Sequence, residues 1–181
     1  MKLILFNKPF DVMCQFSEHP SRATLADYIK IPKVYPAGRL DADSEGLILL
    51  TDDGKLQHKI SHPDWKENKT YLVQVEGAVS SEQLEKLQAP LNLGDFITLP
   101  CKAFEITEPD WIWERHPPIR QRANIPTSWL CIILSEGKNR QVRRMTSAVG
   151  LPTLRLIRSG IGDYSLASHP ILPGELIELK V

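Results

Sequence analysis

Three stretches of this chain gather side chains able to do chemistry. Gly38-Arg39-Leu40-Asp41-Ala42-Asp43-Ser44-Glu45-Gly46 packs three carboxylates, one arginine and two glycines into nine residues. It lies between a break at Pro36 and an apolar run from Leu47, so it reads as a loop held by a strand, a common place for catalytic groups. An arginine beside an aspartate favours the ionised, oriented carboxylate that a nucleophile needs. Lys69-Thr70-Tyr71 sets a phenol at the head of a strand, where the ring can stack on a nucleobase and the hydroxyl can handle a proton. The run from Glu136 to Met145 reads as a glycine turn entering a helix. Val142, Met145 and Val149 would share one helix face and Arg140, Arg143 and Arg144 another. A strip of guanidinium groups suits phosphates or one buried carboxylate, and Arg155 and Arg158 on the next strand extend it.

Each stretch also has a plain structural reading: a turn with surface acids, a core tyrosine, a solvated basic face. Asp41, Asp43, Glu45, Gly46 and Asp52 fall at positions 1, 3, 5, 6 and 12 of a calcium-loop template. Glu45 and Asp52 have the wrong lengths for their positions, however, and Val34 to Gly38 cannot form an entering helix. A glycosidase using Asp41 and Glu45 would account for the acids but leaves the arginine strip without a purpose. A non-catalytic RNA-binding or ribosome-assembly protein would use the strip and leave Asp41 idle.

The elements that must hold these groups follow from periodicity and punctuation. Leu3–Phe6 reads as a buried strand stopped by Asn7-Lys8-Pro9, and Val12–Phe16 as a second. Thr24 caps a short helix through Leu25, Tyr28 and Ile29. Leu47–Thr51 is a strand buried on both faces, closed by Asp52-Asp53-Gly54, and a short helix carries Leu56 and Ile60. Tyr71–Val75 is a strand. Ser80 with Gln83 makes a capping box for a helix through Leu84 and Leu87. Residues 89–128 read as irregular. Trp129–Leu134 is a strand, residues 139–149 a helix ended by Gly150, and Leu154–Ile157 and Leu176–Leu179 are closing strands. Together they predict an α+β fold with a mixed, largely antiparallel sheet.

Composition sets the outer bounds. The chain has 181 residues, 42% hydrophobic and 24% charged, which suits one domain, or two closely joined lobes, with a buried core. No apolar run approaches the roughly 18 residues of a membrane span, and the first apolar stretch is too short for a signal peptide, so a cytoplasmic protein is expected. Cys14, Cys101 and Cys131 are too far apart for a disulfide framework or zinc knuckle, and the five histidines are scattered. With no glycine-rich phosphate loop either, neither a metal nor a cofactor is expected. Charge is unevenly spread: residues 111–160 hold nine Lys and Arg against two Asp and Glu, residues 41–110 six against fourteen. The first region can attract a polyanion although the whole is neutral.

The ordered set resembles a known family. Gly38-Arg-Leu-Asp41, Lys69-Thr-Tyr71, Gly137 to Met145, and Leu154-Arg-Leu-Ile-Arg158 with Ile161-Gly162 are similar to motifs of the ribosomal pseudouridine synthases. The group in question joins type A, which acts on the small ribosomal subunit, with types B, E and F, which act on the large one. The likeness runs from Leu5-Phe-Asn-Lys-Pro9 to Pro173-Gly-Glu175. Pro117-Pro-Ile-Arg-Gln-Arg122, Ile125 to Leu130 and Gly162 to Leu166 are similar to type E, which acts on 23S rRNA. The resemblance implies one catalytic domain over residues 1–181, two lobes meeting at a central cleft with helices flanking the sheet, without the separate N-terminal RNA-binding domain of many relatives. It implies Asp41 as the catalytic aspartate, Arg39 as the arginine that helps displace the target base, Tyr71 stacked under the uracil, and Arg143 paired with the aspartate. Leu156 would lie in the pocket's apolar wall, with Lys138, Arg140, Arg144, Arg155 and Arg158 facing RNA. The implied partner is 23S rRNA, free or in a precursor of the large subunit. The implied state is a monomer.

Overall fold

Apolar runs bounded by Pro, Gly and Asp set most of the elements. The computed structural model describes residues 1–181. In chain order it holds β1 (Lys2–Lys8), β2 (Val12–Met13), β3 (Ala23–Thr24), a 3-10 turn (Leu25–Asp27), β4 (Tyr35–Ala37), β5 (Glu45–Thr51) and α1 (Gly54–Ser61). Then come β6 (Lys69–Glu76), α2 (Ser81–Gln88), β7 (Lys102–Ile106), β8 (Thr127–Leu134), α3 (Gln141–Ala148), β9 (Thr153–Ile161), β10 (Tyr164–Ser165) and β11 (Leu176–Lys180). The chain divides into two compact units, Met1–Trp65 with Asp163–Val181, and Lys66–Gly162.

In the first unit β1 lies between β11 and β5 and is antiparallel to both. β4 pairs antiparallel with β5, and β2 pairs in parallel with β3. Every residue of β5 is buried, which is why its sequence shows no alternation. Ile4, Phe6, Ile48 and Leu50 pack with Leu25, Ile29, Val34 and Leu40. β1 does not stop at Phe6 as its sequence suggests. Asn7 and Lys8 continue it, fully buried, because both find hydrogen-bond acceptors inside. Asn7 Nδ2 donates to Ile171 O at 2.8 Å.

In the second unit β6 is central, antiparallel to β9 on one side and β8 on the other, with β7 outside β8. The two-residue period of strands splits the side chains cleanly. Tyr71, Val73, Val75, Leu130, Ile132 and Leu156 form one cluster with Leu87 of α2 and with Val142 and Met145 of α3. Leu72, Trp129, Cys131 and Ile157 form the opposite face, covered by Ile112 and Trp113. Ser80 caps α2 through the expected capping box. The stretch expected to be irregular holds β7 and a tight hairpin closed by Leu93 N to Phe96 O (2.9 Å) and Thr98 N to Leu91 O (2.8 Å). β7 leaves no strand pattern in the sequence because it is an edge strand in which Ala103 is buried and Phe104 exposed, a reversal of the usual size pattern.

The outcome is an α+β fold. Within each unit the strand pairs are antiparallel apart from β2–β3, as the alternation of strand patterns and turns predicts.

Candidate functional site

The Asp41 loop is defined by its two glycines. Gly38 has φ +86° and Gly46 φ +111°, conformations that side chains with a Cβ rarely adopt. Between them Leu40 is buried as an anchor, and Ser44 N donates to Asp41 O at 3.1 Å, closing a turn that leaves Asp41 half-buried and Arg39 exposed. Ser44 and Glu45 are buried, so Glu45 belongs to the wall of the loop rather than its mouth.

A buried lysine pins this turn. Lys8 Nζ donates to Pro9 O (2.8 Å), Val12 O (2.8 Å) and Ala42 O (3.2 Å), and Asp11 N donates to the same Ala42 O at 2.7 Å. One ammonium thus spends all three donors on backbone carbonyls, one of them in the residue next to Asp41. Burial lowers the Lys8 pKa to about 8, against the opposing pull of Cys14, Glu45, Asp43 and Asp11. The signal in the sequence was a lysine ending an apolar run directly before proline.

In the second unit Tyr71 and Leu156 lie in one apolar cluster. They sit on neighbouring strands, Tyr71 opposite Arg158 and Val73 opposite Leu156. Tyr71 is 9% exposed, within that apolar cluster. Lys69, two residues earlier, is half-buried and donates from Nζ to Ser135 O at 2.9 Å. Burial and then the charge of Arg158 lower its pKa. This bond ties the start of β6 to the turn that leads into α3.

That turn and α3 place the basic residues. Glu136 Oε1 accepts from Gln141 Nε2 (3.0 Å) and from Leu99 N (2.8 Å). Arg140 stands at the N-cap in a left-handed conformation, φ +54°, and is exposed, while Arg143 is half-buried. Lys138, Arg140, Arg143 and Arg144 line a groove of about 760 Å³ whose other wall includes Asp95 and Phe96. Arg144 is engaged across it, with Asp95 at 2.5 and 3.3 Å and with Leu93 O at 2.8 Å. Arg155 and Arg158 are only 5% and 6% exposed. Arg155 donates to Trp113 O at 2.9 Å and lies over the Trp113 ring. The strand therefore does not extend the helix's exposed strip: its guanidinium groups lie within the protein, where on Arg155 they hold the 111–115 segment.

The structure thus gathers Arg39 and Asp41 in one unit, and Tyr71, Leu156, Arg143 and the basic groove in the other. The thiols carry no sign of reactivity. Cys14 and Cys131 are buried, and burial, followed by Glu136, pushes the Cys101 thiol up to about 11.

Comparison with known proteins supplies the context for these groups. The family described as RNA pseudouridylate synthase matches residues 2–148. Ribosomal large subunit pseudouridine synthase E of Vibrio parahaemolyticus is 53% identical over 180 residues, covering 99% of this chain and 74% of the relative. The protein of the same description from Xanthomonas axonopodis is 51% identical over 166 residues, 91% of this chain and 87% of the relative. A crystal structure of a pseudouridylate synthase superposes with a TM-score of 0.80 at 29% identity, over 99% of this chain and 70% of that one.

Proposed function

The chain belongs to the RNA pseudouridylate synthase family, an isomerase family, and on that premise we propose that it converts one uridine of 23S ribosomal RNA to pseudouridine. The observation that carries the choice of substrate is the identity of half the residues, over nearly the whole chain, with relatives named for the large ribosomal subunit.

In this reading residues 1–181 are one catalytic domain whose two lobes meet at a cleft, and Asp41, Tyr71 and Arg143 converge there on one extruded nucleotide. The groove beside α3 takes the RNA backbone, setting register without reading sequence. The target uridine leaves its stack at a cost of a few kcal/mol, and exposed Arg39 fills the gap. Tyr71 stacks on the uracil, with Leu156 continuing the apolar wall. Two routes are open to the Asp41 carboxylate: attack on the ribose, or removal of a ribose proton. In either, the C1′–N1 bond breaks, uracil turns and C5 bonds to C1′; in the first route Asp41 leaves C1′ as that bond forms, in the second it returns the proton to the ribose, and C5 then releases its proton while N1 takes one up. Atoms balance without any oxidant, reductant or nucleotide. Tyr71 is the candidate relay for the C5 proton. The enzyme works as a monomer in the cytoplasm, on free rRNA or on a precursor of the large subunit; no step above uses a second copy.

The test is incubation with unmodified 23S rRNA transcript, followed by chemical mapping of pseudouridine at single-nucleotide resolution. One new modification by the wild type and none by Asp41→Asn, with RNA binding retained, is the expected result. Turnover by Asp41→Asn near the wild-type level would remove Asp41 from the chemistry. Arg143→Met should lower kcat far more than RNA affinity. A loss confined to affinity would make Arg143 a phosphate contact.

A further inference from the structure

We propose that the hairpin at residues 91–98 is the second wall of an RNA strand site, and that Arg144 is a positioning residue for that wall rather than a phosphate contact. The inference rests on the reading of the protein as an RNA-modifying enzyme and adds to it a segment that the motifs leave without a role.

The hairpin is built to hold its shape. Besides its two backbone bonds, Leu91 N donates to Thr98 Oγ1 at 2.9 Å and Gly94 N to Asn92 Oδ1 at 2.9 Å. Thr98 is buried. The tip is then clasped to α3. Arg144 gives its guanidinium to both Asp95 oxygens and to Leu93 O, the two-pronged pairing that arginine makes better than lysine. Those bonds point Arg144 at protein, not at solvent. Phe96 is half-buried and packs with two cations, Lys138 Nζ 4.9 Å and the Arg144 guanidinium 5.3 Å from its ring centre.

What results is a groove with unlike sides. One side is Lys138, Asn139 and Arg140 in the turn before α3, presented by a backbone that holds Arg140 left-handed. A non-glycine residue held in that region beside a groove is a recurring mark of a functional position. The other side is the hairpin, with Phe96 facing in and Ile97 exposed beyond it. Because Lys138 lies over the Phe96 ring, the cations and the aromatic ring form one continuous lining, which matches a single nucleic-acid strand with phosphates on Lys138 and Arg140 and a base or ribose along Phe96. An acidic peptide would use the cations and leave Phe96 unused. That difference separates the two occupants.

The test measures binding of a fluorescent polyuridine strand of about 12 nucleotides, within the usual span of a single-strand site, to the full chain at several salt concentrations, so it does not depend on turnover. Lys138→Gln with Arg140→Gln should weaken binding roughly tenfold near 0.1 M salt and flatten the slope of log K against log salt by roughly 1.4, as two contacts to a single strand require. Phe96→Ala should weaken it several-fold with the slope unchanged, and Phe96→Leu should recover part of the loss. Arg144→Gln should act like Phe96→Ala in loosening the wall, and its effect should shrink in an Asp95→Asn background. Thermal melts confirm that each variant is folded. If Phe96→Ala binds like wild type, or if polyglutamate displaces the strand as well as RNA does, the hairpin is not a wall of an RNA site. Modification of the 23S transcript by the wild type is followed in parallel. Its failure would count against the enzyme reading while leaving the strand site standing.

Discussion

Lys8 shows how much of a site can hang on one side chain outside the chemistry. Its side chain is fully buried, bound to three carbonyls, and one of those belongs to the residue after Asp41. Replacing it with methionine fills the volume but strips the donor from Pro9 O and Val12 O and leaves Ala42 O with Asp11 N alone. Each buried acceptor so stranded costs about 1–3 kcal/mol where water does not reach it. Lys8→Met should therefore destabilise the protein by several kcal/mol in denaturant unfolding and lower kcat through a displaced Asp41 turn. The pH dependence has a definite sign. A folded pKa of about 8, below the ordinary lysine value, means that the unfolded chain holds more protons between about pH 8 and pH 10.5. Stability therefore rises with pH across that window, and the burial penalty is complete below it. Between about pH 7.5 and 9.5 wild type should gain up to about 2 kcal/mol relative to Lys8→Met. A constant difference would mean that the three carbonyls hold the ammonium charged throughout.

At the scale of elements, the two glycines act as the ends of a clasp around Asp41. Gly38 has φ +86° and open space where a Cβ would go. Gly38→Ala thus isolates the dihedral penalty, roughly 1 kcal/mol. Gly46, at φ +111° within β5, lies where only glycine is comfortable, and Gly46→Ala should cost more, about 1–3 kcal/mol. Both should reduce turnover while leaving strand binding at the α3 groove near wild type, as kcat and polyuridine affinity would show. The importance of these glycines was legible in the sequence because they bracket a carboxylate cluster beside a proline. So were β5, β6, β8 and the α2 capping box, where apolar runs or capping pairs dominate locally. What escaped was decided by distant partners. β7 exists because β8 offers it an edge, the last residues of β1 because carbonyls 4 and 34 residues further on accept the Lys8 protons. The burial of Arg155 depends on Trp113, 42 residues away. Helical spacing alone places Arg144 in the basic strip beside Arg140 and Arg143; only the fold reveals Asp95 in its path.

At the scale of the whole molecule, charge separation stands in for net charge. The chain balances 22 Lys and Arg against 22 Asp and Glu, so no long-range monopole draws it to RNA, and attraction comes from the basic groove alone. Binding strength should then follow the number of phosphate contacts, not the isoelectric point. With Lys138 and Arg140 as the two contacts to a single strand, log K against log salt should have a slope of roughly −1.4, and affinity should fall roughly sevenfold between roughly 50 and 200 mM salt. Because the groove's cations are arginines and an exposed lysine, the slope should be the same at about pH 7 and pH 8.5. A strand held through imidazoles would instead lose affinity over that interval, because histidine as a residue type gives up its remaining charge there. Fluorescence titrations of the polyuridine strand at the two pH values decide between these, and a slope near zero would show that the strand is held by stacking alone, with the groove's cations turned to another use.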